Sequence, residues 1–137
     1  MIIRGRGIAR GVGTGDLLVS PAPISFLAGV DPGTGIIIEK GHPLFGQAIG
    51  GKVLAFPYGK GSTVGSYVLY ALSRSGQAPA AIINSEAEPI IATGAIIGRI
   101  PMIDRIGVPL KCLKNGTRVT IDGESGTMQY FGDLLPE

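Results

Sequence analysis

The 137 residues include 23 glycines and 10 prolines, and these two counts limit the fold more than any other feature of the chain. Glycine weakens the interior of helices and strands, while proline breaks a helix or interrupts a ladder. Long regular elements are therefore excluded, and a fold of short elements joined by many tight turns is expected. Hydrophobic residues nevertheless make up 45% of the chain and charged residues only 16%, a balance that favours a packed core over disorder. A chain of this length accommodates one core of ordinary size, so residues 1–137 are expected to form a single domain.

Charge and cysteine usage narrow the partners. Twelve Lys and Arg against ten Asp and Glu leave a formal charge of +2, too small and too dispersed for a nucleic-acid backbone. The single cysteine, Cys112, excludes an intrachain disulfide and suits a reducing cytoplasm. Met1 to Arg10 alternates apolar residues with Arg4, Arg6 and Arg10, unlike the continuous apolar stretch of a signal peptide. No segment has membrane-spanning length, so the expectation is a cytoplasmic protein without membrane contact. One cysteine and one histidine, His42, cannot supply a multi-ligand metal centre, and none is expected in this chain.

Along the chain, residues 1 to 20 read as a strand pair or bent strand interrupted by Gly11, Gly13 and Gly15. Phe26 to Val30 leads into the turn cluster Asp31-Pro32-Gly33-Thr34-Gly35, together an ordered loop. Ile36-Ile37-Ile38 and Val53-Leu54-Ala55-Phe56 have the lengths and side chains of buried strands. Val64, Val68, Leu69 and Leu72 recur at helical spacing, with Gly76 placed to cap the C-terminus. Ala80 to Ile83 reads as another strand, and Pro89 is suited to start a second helix through about Ile97, although Ile90 to Ile97 is so uniformly apolar that periodicity alone fits a buried helix or a strand pair. Ile100 to Ile103 and Pro109 to Leu113 resemble short strands, while Asn115-Gly116 and Asp122-Gly123 are hairpin signals.

The richest segment for chemistry is Gly59-Lys60-Gly61-Ser62-Thr63-Val64-Gly65-Ser66, where glycines precede a helix whose first amides lack intrahelical acceptors. It is not a Walker loop, because Leu54 holds the first glycine position and Gly61 follows Lys60. Taken by spacing alone, Ser62 caps the helix and Lys60 is a solvated charge. A non-catalytic module in which this loop grips an anion fits the same residues.

Several separated motifs change that reading. Ser25-Phe26-Leu27-Ala28-Gly29-Val30-Asp31-Pro32, His42-Pro43-Leu44, Gly59 through Leu69, Glu88 through Ala95 and Ile100-Pro101-Met102 together resemble the aconitase X small subunit family, across essentially the whole chain. The resemblance implies a β-rich α/β fold, a swivelling β/β/α domain with a barrel-like sheet and one or two helices. It also implies a heterodimeric dehydratase whose large subunit holds an iron–sulfur cluster of the four-iron, four-sulfur type. In free-standing archaeal-type pairs the implied substrate is (R)-5-phosphomevalonate, a small phosphorylated hydroxy acid, and the product trans-anhydromevalonate 5-phosphate. Another hydroxy acid, such as a hydroxyproline, is the alternative substrate class.

The family's proton acceptor falls on Ser62, with Gly59, Lys60, Gly61 and Thr63 as its loop support or substrate contacts. A serine hydroxyl is a weak base unless nearby dipoles and cations stabilise its alkoxide. The amides of the following helix and Lys60 are candidates for that role. Asp31 and His42 lie in turn-rich segments and are open either to structural roles or to substrate or subunit contacts. Arg4, Arg6 and Arg10 are able to attract a phosphate or acidic substrate but read first as the solvated side of a strand; Glu86 and Glu88 are able to hold a cation or orient a group, but a helix dipole already accounts for acidic residues placed before it.

Overall fold

The computed structural model describes residues 1–137. Its elements are β1 (Ile2–Arg4), β2 (Arg6–Ala9), β3 (Val12–Val19), α1 (Phe26–Gly29), β4 (Val53–Phe56), α2 (Gly65–Ser75), β5 (Ala81–Asn84), α3 (Pro89–Ile97), β6 (Met102–Asp104), β7 (Arg118–Asp122) and β8 (Thr127–Tyr130). The eight strands form one sheet in the order β1-β8-β7-β3-β4-β5-β6-β2. Strands β3 to β6 pair in parallel, and the remaining neighbours are antiparallel. The first and last strands in that order, β1 and β2, are separated in the chain by Gly5 alone, so the sheet curls until its two edges nearly meet. This is the barrel-like sheet expected, and the β-rich α/β class holds.

Side-chain alternation divides the core into two layers. On β4, Leu54 and Phe56 face one cluster with Leu18 and Ile82 of the neighbouring strands, and α1, α2 and α3 cover it with Phe26, Leu69, Leu72 and Ile91. Val53 and Ala55 face the other cluster with Leu17, Ala81 and Ile83, closed by Val119, Ile121, Met128 and Tyr130 of the antiparallel strands. The parallel strands are thus buried on both faces, which is why they read as continuous apolar runs. The layers run antiparallel sheet, parallel sheet, helices. There are three α-helices rather than one or two, the extra one being the four-residue α1.

The helix expectations hold closely. Helix α2 ends at Gly76, whose φ of 77° lets its amide reach the Leu72 and Ser73 carbonyls. Helix α3 begins at Pro89, with the Glu88 carboxylate accepting from the Ile90 and Ile91 amides at 2.9 and 2.7 Å. The Asp122-Gly123 signal does join two paired strands, β7 and β8.

Other expectations fail for identifiable reasons. Ile36-Ile37-Ile38 is not a strand and makes only isolated bridges to Ala48 and Val30, because only Ile37 is buried while Ile38 faces solvent. Pro109 to Leu113 is a 3-10 turn at Leu110–Cys112 rather than a strand. Pro109 accepts from the Cys112 amide at 3.0 Å, and its fixed φ starts the turn. Cys112 is therefore packed in a turn, not a strand. Asn115-Gly116 turns the chain into β7 without joining two strands; its Asn115 Oδ1 accepts from the Val19 amide at 2.6 Å. Gly13 and Gly15 do not interrupt β3. A Cβ at Gly13 would strike the Ala80 carbonyl, and one at Gly15 would lie 2.5 Å from that of Gly51, so both glycines permit close backbone approach.

Candidate active site

Ligand sites in parallel α/β sheets gather beyond the C-terminal ends of the strands. The segment Pro57 to Val64 leaves the end of β4 at that edge and enters α2. It is tied down by the stretch before α1. Ile24 donates to the Tyr58 carbonyl at 3.3 Å, and Lys60 donates back to the Ile24 carbonyl at 3.1 Å. Gly59 is forced to be glycine, since a Cβ there would strike Ile91 of α3. Gly61 has φ of 96° and would place a Cβ 2.9 Å from Ser25 Oγ, so it too has no room for a side chain. These two glycines press the loop between α1 and α3 and fix where Ser62 stands.

Ser62 is half-buried at the mouth of α2. Its Oγ accepts from the Val64 amide at 3.1 Å, while its carbonyl accepts from Gly65 at 3.0 Å. The hydroxyl thus caps the turn that leads into α2, as spacing suggests, and the same bond points a backbone N–H at the oxygen. An N–H donated to an oxygen favours its ionised form. Capping and acid–base work are compatible on this atom.

Lys60 directs its ammonium to Glu39, with Nζ and Oε2 3.3 Å apart. Glu39 escaped the sequence reading because 21 residues separate the pair and no periodic pattern links them. Thr63 is exposed beside Ser62, and its carbonyl accepts from Ser66 at 3.2 Å. The Ser66 hydroxyl is buried and committed to the Ile90 carbonyl, to which it donates at 2.7 Å.

His42 is buried with both ring nitrogens engaged. Nδ1 accepts from the Leu44 amide at 3.0 Å and Nε2 lies 3.1 Å from the Pro23 carbonyl, which assigns the proton to Nε2. Pro23 precedes the Ile24 that holds the loop, so His42 braces the site from one layer behind. Asp31 is not brought there. Its Oδ1 accepts from the Gly33 amide at 2.8 Å and its carbonyl from Gly35 at 2.8 Å, which closes its own turn.

The same sheet edge has charged groups that the sequence reading gave first to solvent or a helix dipole. Asp104, at the end of β6, is fully buried and takes Arg6 through both oxygens at 2.9 and 2.7 Å, plus the Ala87 amide at 2.7 Å. Burial opposes its charge, but the Arg6 guanidinium and the Ala87 amide outweigh it and hold the carboxyl below its ordinary range. Glu86 pairs with Arg105 at 2.8 and 2.6 Å instead of facing a helix start. A single acidic residue ending the run Met102-Ile103-Asp104 was the available signal for a buried pair. Asn84, ending β5, is also buried. Its Nδ2 donates to the Phe56 and Ile83 carbonyls at 3.1 and 3.2 Å, while Oδ1 has no partner.

No three His, Cys, Asp or Glu side chains converge on a point that could hold a metal ion. The lone Cys112 is buried beneath the 3-10 turn, so these residues do not fit the thiolate set of an iron–sulfur cluster.

Comparison with known proteins accords with this architecture. One relative, from Methanocella arvoryzae, is 57% identical over 94% of this chain and 98% of its own length and is named phosphomevalonate dehydratase small subunit. Another of that name, from Pyrococcus furiosus, is 53% identical over 98% of this chain and all of its own. The crystal structure of Thermococcus kodakaraensis aconitase X in its holo-form superposes with a TM-score of 0.92 at 49% identity, covering 96% of this chain and 99% of that one. The family model for the aconitase X swivel domain matches residues 2–130. With the layered sheet, the glycine-held serine loop and these matches in agreement, the chain belongs to the aconitase X swivel domain family.

Proposed function

We propose that this chain is the small subunit of a heterodimeric hydro-lyase that removes water from (R)-5-phosphomevalonate to give trans-anhydromevalonate 5-phosphate, with Ser62 as the proton acceptor. The reading rests on relatives of that name matched over nearly their whole length, and on one observation at the site. Ser62 is half-buried at a sheet edge and its Oγ receives a backbone N–H. The domain spans 1–137 as one unit, and the name small subunit argues for a larger partner.

Dehydration of a 3-hydroxy acid breaks a C–H bond beside the carboxylate and the C–O bond to the leaving hydroxyl. The electron pair from the first becomes the new double bond, while that of the second departs with the hydroxyl as hydroxide, which takes up a proton to leave as water, so that H and OH are lost in sum. Ser62 Oγ takes the carbon-bound proton, and the Val64 N–H stabilises the alkoxide that must exist beforehand. Gly59 and Gly61 hold that oxygen by leaving the loop no slack, and Lys60 with Glu39 fixes the loop's outer side. The iron–sulfur cluster, which this chain's residues do not fit, belongs to the large subunit in this reading.

The test is co-expression with the large subunit followed by assay. Ser62→Ala is expected to lower dehydration by about 10²- to 10⁴-fold, the usual worth of a positioned base, while the pair still co-purifies. Normal turnover by the assembled mutant pair would remove Ser62 from the mechanism. Turnover of another hydroxy acid in preference to phosphomevalonate would change the substrate and leave the serine in place.

A further inference from the structure

We propose that the groove between the β2–β3 turn and the C-terminal end of α3 is a second binding site, for a small organic phosphate with a short aliphatic part. It lies at the opposite edge of the sheet from Ser62. Helices α2 and α3 each start beyond the C-terminal end of a parallel strand and run back, so their last residues mark the other edge. The groove measures about 680 Å³, with Ile8, Ala9, Ala95 and Ile96 as apolar walls and Arg10 and Arg99 as the charged lining. A hollow of about 440 Å³ adjoins it through Arg99 and adds Arg74. Volumes of this order suit a small ligand.

Two observations point to an anion. Four ion pairs occur in the structure, and they engage Arg6, Lys60, Arg105 and Arg118; Arg10, Arg74 and Arg99 have no carboxylate partner. Clustered guanidiniums around a concave surface favour phosphate, which they bind with paired N–H donors. The second observation is the backbone of Arg99. Helix α3 closes with the Arg99 amide on the Ile96 carbonyl at 3.2 Å and the Ile100 amide on Ala95 at 2.8 Å. In such a closure the residue at position 99 takes left-handed dihedrals, and glycine is the preferred occupant. Here φ is 55° on an arginine, although Gly98 stands next to it. Arg105 shares such dihedrals, with φ of 50°, but has Glu86 as its ion-pair partner; Arg99 stands at the same backbone cost without one, and strain of this kind clusters at functional positions.

The partial negative charge of a helix end does not oppose this reading. The Gly94, Ala95 and Ile96 carbonyls already accept amides, and the Gly98 carbonyl accepts from Ser73 Oγ at 2.6 Å. The accessible apolar surface, from half-buried Ile8 and exposed Ile96, selects the ligand further, because free phosphate would leave it wet while an alkyl phosphate would cover it.

The experiment is a titration of the isotope-labelled full chain, followed by amide NMR shifts, with butyl phosphate, inorganic phosphate and butanol as probes. Butyl phosphate is expected to give saturable shifts confined to Arg10, Gly11, Ala95, Ile96 and Arg99, at lower concentration than inorganic phosphate, with butanol silent. Arg99→Gly is expected to weaken binding about tenfold, the loss of one charge-assisted contact, with an unchanged or higher denaturation midpoint. Arg10→Gln gives a second measure of the same loss. Undiminished binding in Arg99→Gly, or shifts scattered over the surface, would overturn the site. So would loss of the response when the large subunit is bound, since the arginines would then belong to an acidic protein contact.

Discussion

At Ser62 two demands fall on one oxygen. It ends the turn that begins α2, and in the proposed reaction it takes a proton from carbon. Removing it should cost little stability, about 0.5–2 kcal/mol for a lost cap, beside the large loss of turnover expected above. Chemical denaturation of Ser62→Ala measures the first quantity and assay of the pair the second. Asp104 presents the opposite case, a charge whose effect is on the fold. Its carboxyl is depressed below the ordinary 3.8 in the folded chain, so the stabilisation is complete above the unfolded value and disappears as pH falls through the folded one. Melting temperature measured against pH should therefore fall on acidification below about pH 4, and Asp104→Asn should flatten that fall while lowering the neutral-pH value. The turn at Ser62 was legible from its glycines and the helix behind it, whereas the proton-acceptor role came from the family resemblance. The bonds of Asp104 were not, because Arg6 lies 98 residues away and only the curled sheet brings it close.

Among elements, the loop after β4 depends on what two helices leave open. Gly59 abuts Ile91 of α3 and Gly61 abuts Ser25 before α1. Gly59→Ala should lower stability by about 1–3 kcal/mol through overpacking, checked by denaturant unfolding, and should also lower turnover because Ser62 moves with the loop. Helix α2 could be read from its apolar spacing and Gly76, and α3 from Pro89 and the acidic residues before it, all local signals. Ile36 to Ile38 and Pro109 to Leu113 misled for the same reason: a short β-branched or apolar run shows that something is buried, not that a neighbour exists to pair with it. Partners are a property of topology, and Ile36 and Ile37 meet only single bridging residues. The place of the glycine loop before α2 was legible, while Glu39, Asn84 and the Arg6–Asp104 pair depended on contacts between distant segments.

For the whole molecule, closure of the sheet rests on glycines where strands cross. A Cβ at Gly123 would strike the Ala9 carbonyl, and one at Gly7 the carbonyl of Gly123. Gly123→Ala is expected to destabilise the fold by about 3 kcal/mol and, if the loss separates the sheet edges, to expose the amides of β1 and β2 to hydrogen exchange first. The glycine count that opened the sequence reading thus serves two purposes: turns between short elements and contacts where backbones touch. The single residue Gly5 between the two edge strands has its own consequence for how the molecule is made. Strand β1 pairs with β8 at residues 127 to 130, and β2 pairs with β6 at residues 102 to 104. During synthesis on a ribosome, the first nine residues emerge before either partner exists, so the β2–β6 seam must wait for residue 104 and the β1–β8 seam for the last hairpin. Until then the edge strands and their arginines are open to chaperones, and the β1–β8 seam that closes the sheet is among the last contacts to form.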